Sequence, residues 1–123
     1  MAIISGEAQV HSGNKEWESL KVLNDQSVDE TVSDAVDIRN IDKLSLFVET
    51  GAGVSGGVVK LETAMNVDGP WFVAASITAA AASTGYAVSL GGDDDGIPAK
   101  YARARIETVI SNGTIDAYII KQI

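Results

Sequence analysis

The chain has 123 residues, no cysteine, one histidine and a formal net charge of −8. This length suits one domain that buries a core without disulfides, and the lack of cysteine excludes thiol catalysis and thiolate metal sites. The acidic balance opposes binding to nucleic acid or to an anionic membrane surface, and no apolar run approaches the ~18 residues of a membrane helix, so the chain is expected to be soluble.

Residues 1–15 are predicted to form an extended N-terminal arm, and residues 16–123 one β domain. The arm is mostly polar and contains His11. A metal site or a catalytic base would need further ligands or partners, and the chain has no second histidine and no cysteine. We therefore predict that His11 is a solvated side chain.

The predicted strands share an alternation of apolar and polar residues and a content rich in Val, Ile, Thr and Ser. They cover residues 16–23, 29–38, 43–50, 58–65, 71–77 and 86–90, followed by a closing hairpin over residues 99–123. Residues 43–50 and 58–65 are expected to pair as a hairpin, and residues 78–84 to form a loop. Trp71 is predicted to be the largest residue of the core.

The closing hairpin is predicted from the dipeptide Asn112-Gly113, because both residues tolerate the positive φ of a two-residue type I′ turn. In that register Ile106 faces Ile119 on an apolar side. The opposite side carries Arg103, Arg105 and Tyr118. Strands about ten residues apart with turn signals between them indicate an all-β fold, an antiparallel β-sandwich resembling a jelly roll.

The sequence contains only weak motifs for metal binding or catalysis. Asp93, Asp94 and Asp95 lie in a glycine-flanked loop that could bind calcium, but their spacing does not fit an EF-hand, and a solvated turn is favoured. A serine nucleophile would depend on His11 alone, and no Gly-x-Ser-x-Gly turn is present. We expect no enzyme activity, no cofactor and no resident metal.

Function is therefore expected on exposed surface, since Arg and Tyr are enriched where proteins bind proteins. The predicted interface residues are those that the strand pattern turns outward: Trp17, Phe47, Tyr101, Arg103, Arg105 and Tyr118. In the alternative interpretation a second sheet layer or the arm covers the arginine-bearing side, and Trp17 belongs to the core.

Two segments carry a resemblance to a known class of proteins: Asp68-Gly69-Pro70-Trp71, and the arginine-bearing strand from Tyr101 to Ile106. With the extended N-terminal portion, their order resembles that of small β-sandwich structural proteins of tailed bacteriophage virions. The resemblance implies a head decoration (cement) protein in the virion, a homotrimer bound to the major capsid protein, or else a neck or tail component.

A carbohydrate-binding β-sandwich module is the alternative from another class. Its exposed aromatic residues would stack on sugar rings, and Asp93, Asp94 and Asp95 could hold calcium beside the sugar. Selective glycan binding would distinguish it from a virion structural protein.

Overall fold

A computed structural model describes residues 9–10, 16–91 and 97–122, and these residues form nine β-strands in two antiparallel sheets. The strands are β1 (Gln9–Val10), β2 (Glu16–Gln26), β3 (Val36–Asp37), β4 (Lys43–Thr50), β5 (Gly56–Ala64), β6 (Phe72–Thr78), β7 (Gly85–Gly91), β8 (Tyr101–Ser111) and β9 (Ile115–Gln122).

The strand order is that of a jelly roll. One sheet has the order β1-β2-β9-β4-β7 and the other has the order β3-β8-β5-β6. Most connections pass from one sheet to the other, and only β1 to β2 and β5 to β6 stay within a sheet. The predicted antiparallel β-sandwich is confirmed.

The core lies between the two sheets and is built from the apolar set of each strand. Leu44, Leu46 and Val48 of β4 are fully buried, as their alternation predicts. Ile106 of β8 and Ile119 of β9 are fully buried as well. Each fully buried Leu or Ile side chain contributes about 1.5–3 kcal/mol, so these alternating sets hold the sheets together.

The predicted closing hairpin is wrong, because β8 and β9 belong to opposite sheets. Asn112 has a φ of 65°, but Gly113 is not among the glycines with positive φ, so the turn is not of type I′. Residues 112–114 instead carry the chain across the sandwich. The pattern correctly predicted that Ile106 and Ile119 are core residues, and they lie in facing sheets.

The predicted pairing of residues 43–50 with residues 58–65 is wrong for the same reason, since β4 and β5 lie in different sheets. Their connection packs against the turn between β8 and β9. There the Asn112 Nδ2 donates to Ser55 Oγ at 2.8 Å, and the Ser55 N–H donates to the Ser111 carbonyl at 3.0 Å. Two crossing loops thus close one end of the sandwich together.

Trp71 was predicted to be the largest residue of the core, but it lies on the outer surface of the four-stranded sheet. Ala75 pairs with Leu61, whereas Val73 pairs with the next residue, Glu62, so Ala74 is an extra residue at a β-bulge. The bulge reverses the alternation, and Trp71 and Val73 turn to the outer surface while Ala75 stays toward the core.

The predicted strand over residues 29–38 forms only in part. Val36 and Asp37 make up β3, and the preceding residues follow the edge of β8 irregularly. The Ser33 N–H, for example, donates to the Ala104 carbonyl at 2.9 Å. The predicted loop over residues 78–84 is confirmed for residues 79–84, which contain no helix, whereas Thr78 is the last residue of β6.

Two of the sequence predictions fall outside the described residues: the solvated His11, and the turn or calcium loop at Asp93, Asp94 and Asp95. Within the predicted arm, Gln9 and Val10 form β1, which pairs with the start of β2.

Candidate interaction faces

The six predicted interface residues divide between the two outer faces of the sandwich. Trp17, Phe47 and Tyr118 belong to β2, β4 and β9 of the five-stranded sheet. Tyr101, Arg103 and Arg105 belong to β8 of the four-stranded sheet. The predicted neighbourhood of Tyr118 with the two arginines is therefore wrong, because it depended on a hairpin between β8 and β9.

The aromatic face is the outer surface of the five-stranded sheet, defined here by Trp17, Lys21, Phe47, Tyr118 and Ile120. Tyr118 is the cross-strand partner of both Lys21 and Phe47. Ile120 lies two residues further along β9 on the same face, and Trp17 lies opposite the next outward residue of β9. Apart from the exposed Lys21, these side chains are half-buried.

Close contacts hold the centre of the aromatic face in place. The rings of Phe47 and Tyr118 lie 5.9 Å apart between centroids and are tilted by 48°. Such tilted aromatic pairs contribute about 0.5–1.5 kcal/mol beyond the area that they bury. The ammonium of Lys21 lies 5.8 Å from the Tyr118 ring centroid and 3.4 Å from a carboxylate oxygen of Asp116. The face is a preformed surface of rings with the Lys21 ammonium at its border.

A glycine on the neighbouring strand accommodates Phe47. Gly85 of β7 lies under its ring, and a Cβ atom at that position would come within 2.9 Å of Phe47 Cζ. The bare backbone therefore lets the ring lie flat on the sheet.

The arginine face is the outer surface of the four-stranded sheet, defined here by Glu62, Trp71, Tyr101, Arg103 and Arg105. Its centre is Glu62 of β5, whose side chain is only 6% exposed. The Arg103 Nε donates to Glu62 Oε1 at 2.8 Å, and the Arg105 Nε donates to Glu62 Oε2 at 2.7 Å. Each carboxylate oxygen thus receives a charge-assisted hydrogen bond.

Two further groups complete the arginine face. Arg103 lies under the ring of Trp71, with 4.4 Å between its Cζ atom and the ring centroid, which is within the range of cation–π attraction. Arg105 also forms an ion pair with Glu30, at 3.2 Å between Nη1 and Oε2. Both guanidinium groups are therefore committed to partners within the chain.

The surroundings of Glu62 fix its charge. Burial alone would raise the pKa of Glu62, but the hydrogen bonds and charges of Arg105 and Arg103 outweigh burial and hold this pKa below its ordinary value. The carboxylate is ionised at neutral pH and serves as an internal counter-ion.

Glu62, Glu30 and Trp71 were not predicted as part of this face. Alternation places Glu62 on the outer side of its strand, but its contact with the arginines depends on the pairing of β5 with β8. Trp71 reaches the face through the bulge at Ala74. Neither the pairing nor the bulge has a local signal in the sequence.

A cleft at one end of the five-stranded sheet has a volume of about 350 Å³. Its lining includes the carboxylates of Asp25, Glu49 and Asp116. Across residues 9–10, 16–91 and 97–122, no group of three or more His, Asp or Glu side chains is arranged to hold a metal ion. The same residues include no helix that is long and apolar enough to cross a membrane.

Comparison with known proteins gives similarity in structure only. No family model and no curated protein sequence matches the chain. Among solved structures, the chain is similar to the SPBc2 prophage-derived protein YomS, with a TM-score of 0.63 and 9% identity over 94% of this chain and 100% of that one.

A second similar structure is the K2 cleaved adhesin domain of Lys-gingipain, with a TM-score of 0.53 and 13% identity over 92% of this chain and 75% of that one. At such identities the similarity shows a shared fold, which for the prophage-derived protein extends over the full length of its chain.

Proposed function

We propose that this protein is a non-enzymatic structural protein of a phage virion, and more specifically a capsid decoration protein that binds and stabilises the assembled capsid. The observation that carries the proposal is the shared fold with a prophage-derived protein over 94% of this chain and all of the other. The order of sequence features from Asp68-Gly69-Pro70-Trp71 to the strand of Arg103 and Arg105 also resembles that of phage virion structural proteins.

The surface chemistry suits adhesion by a rigid body. The aromatic face presents half-buried rings held by neighbours, so little conformational entropy is lost when a partner covers it. The arginines of the opposite face are paired with Glu62 and are less available to a partner. We therefore assign the capsid contact to the aromatic face, with the major capsid protein as partner. The resemblance to head decoration proteins implies a homotrimer as the bound form.

The experiment is binding of the purified protein to capsids that lack it, measured by co-sedimentation, together with the temperature at which those capsids disassemble. A decoration protein binds to saturation and raises that temperature. Tyr118→Ala should weaken binding at least about tenfold, because interface tyrosines are often dominant contacts. Val28→Ala, at a residue 60% exposed and away from the aromatic face, should leave binding unchanged.

Two outcomes would contradict parts of this proposal. Failure to bind capsids would exclude the decoration role. Antibody labelling confined to the neck or tail of the virion would retain a structural role in the virion and replace the capsid with a neck or tail partner.

The second candidate function is carbohydrate binding, and the observation that favours it is the presence of Trp17, Phe47 and Tyr118 on one sheet face. Aromatic rings on a preformed surface can stack on sugar rings. A glycan array with and without chelator tests this function. Selective binding that is lost in Trp17→Ala would favour it, and no selective binding would favour the decoration protein.

A further inference from the structure

One long stretch of this acidic chain carries no charge. Residues 69–92 contain no Asp, Glu, Lys, Arg or His, although charged residues make up 21% of the protein. This stretch supplies β6, β7 and the loop between them. We call these two strands with residues 79–84 the neutral wall.

The neutral wall forms one open side of the sandwich. β6 ends the four-stranded sheet, β7 ends the five-stranded sheet, and the two strands contact each other. Within the described part of the chain, the outer edges of both strands have no pairing partner. An edge of this kind presents free N–H and C=O groups to another strand.

The opposite side of the sandwich differs in length and charge of its edges. Its terminal strands, β1 and β3, are only two residues long. Among the described residues β1 covers only Glu16 and Trp17 of β2, and the β2 edge beyond them carries Glu18, Lys21 and Asp25. The segment around β3 carries Asp29, Glu30, Asp34 and Asp37. Short and charged edges prevent strand addition, and β6 and β7 have neither feature.

Exposed apolar side chains lie at one end of the neutral wall and just beside it. Phe72 is 66% exposed and Val73 is 51% exposed at the start of β6, and Met65 and Val67 just before it are each 54% exposed. Two shallow grooves of about 280 and 150 Å³ run beside them, lined in part by Leu90, Ile97 and Pro98. Clusters of exposed apolar residues next to an unpaired edge are typical of protein interfaces.

The charge distribution favours a second copy of this chain as the partner. Two copies of a chain with a net charge of −8 repel each other wherever their acidic surfaces meet. The neutral wall adds no charge of its own to this repulsion, so apolar burial and strand pairing can prevail over it there. We propose that a second copy of this chain docks on the neutral wall, with the edge of β6 as the central contact and Phe72 as its apolar anchor.

This inference rests on the proposed function, since it names the surface for self-association, but its first test uses the purified chain without capsids. Sedimentation equilibrium of the purified full chain should show an oligomer in exchange with monomer. Association should strengthen as ionic strength rises from about 0.01 M to about 1 M, because the Debye length falls from about 30 Å to about 3 Å and screens the repulsion between copies.

The decisive variants place one negative charge on either side of the sandwich. Phe72→Glu should raise the dissociation constant for self-association at least about tenfold, because it places like charges opposite each other in the contact. Val28→Glu adds the same charge at a residue of similar exposure, 60%, outside the neutral wall, and should leave association unchanged. Ser76→Glu, on exposed β6 surface opposite Lys60, is a second variant that is compatible with the fold.

Three results would overturn the inference. The first is a monomer at all concentrations and ionic strengths. The second is equal weakening of association by Val28→Glu and Phe72→Glu. The third is unchanged self-association in both Phe72→Glu and Ser76→Glu together with lost binding to capsids, which would make the neutral wall the surface that contacts the capsid. Self-association through the wall without capsid binding would contradict the proposed function and leave this inference intact.

Discussion

At the scale of single residues, Glu62 is the clearest example of a charge that is structural. It lies on the outer side of its strand, yet its carboxylate is covered by Arg103 and Arg105, and each oxygen receives one Nε–H hydrogen bond. A buried carboxylate with both oxygens satisfied is far less costly than one left without partners. The cluster joins β5 to β8 on the surface, as Leu61 and Ile106 join these strands to the core.

Replacing Glu62 with Gln should lower the free energy of unfolding by about 2 kcal/mol, because it removes the negative charge from two charge-assisted hydrogen bonds and leaves two guanidinium groups close together. Urea denaturation followed by circular dichroism measures this loss. Glu107→Gln is the matched control. The Glu107 carboxylate forms an ion pair with Lys60, at 3.9 Å between Oε2 and Nζ, and is itself exposed. We therefore expect its loss to lower the free energy of unfolding by less than about 0.5 kcal/mol. Equal losses in the two variants would contradict a structural role of the cluster.

The Glu62 carboxylate should also make stability depend on pH in a defined direction. Because its pKa is lower in the folded chain than its ordinary value of 4.5, it stabilises the fold above that value, and this stabilisation is lost as pH falls through the folded pKa. The difference in unfolding free energy between the wild type and Glu62→Gln should therefore be full at neutral pH and shrink as pH falls below 4.5 through the lowered pKa of the folded chain. A difference that stays constant over this range would show that ionisation of Glu62 is not the cause.

At the scale of strands and loops, the end of the sandwich depends on the close approach of two crossing connections. Gly53 has a φ of 86°, and a Cβ atom there would come within 2.6 Å of the Asn112 carbonyl oxygen. Gly56 is nearby, but a Cβ atom at that position would be no closer than 3.7 Å to Ser111 Oγ. The first glycine is required by geometry, whereas the second is not.

Gly53→Ala should therefore lower the free energy of unfolding by about 1–3 kcal/mol, through backbone strain and the forced separation of the two loops. Gly56→Ala should change it by less than about 0.5 kcal/mol. Urea midpoints of the two variants provide the comparison. An equally small effect in both would mean that the loops separate freely and that their packing contributes little.

Strand alternation predicted which side of each strand is buried, but it did not predict which strands are neighbours. Leu44, Ile106 and Ile119 are core residues as expected, because side chains on a strand alternate whatever its partner. Asn112-Gly113 favours a turn but does not specify whether the chain returns to the same sheet or crosses to the facing one. The jelly roll uses the crossing path.

The candidate faces were predictable only in part for the same reason. Phe47 was correctly predicted to point outward, whereas its contact with Tyr118 follows from the pairing of β4 with β9. Trp71 was misplaced because one extra residue, Ala74, reverses the alternation, and a single alanine carries no bulge signal.

At the scale of the whole molecule, three surfaces have different chemistry. The arginine face is closed by its own ion pairs, the aromatic face presents rings held by neighbours, and the neutral wall presents unpaired strand edges. In the proposed decoration role, the aromatic face would contact the capsid and the neutral wall would contact another copy. Phe72→Glu should accordingly weaken self-association more than it weakens direct contact with the capsid. Tyr118→Ala should weaken contact with the capsid more than it weakens self-association.

A cryo-electron microscopy reconstruction of the virion of the phage that encodes this protein tests the proposed decoration role. We expect density for the jelly roll on the outer capsid surface, with the aromatic face toward the major capsid protein and neighbouring copies in contact through β6. Absence of the protein from the virion would exclude a structural role in it, and copies confined to sites away from the capsid surface would exclude the decoration role.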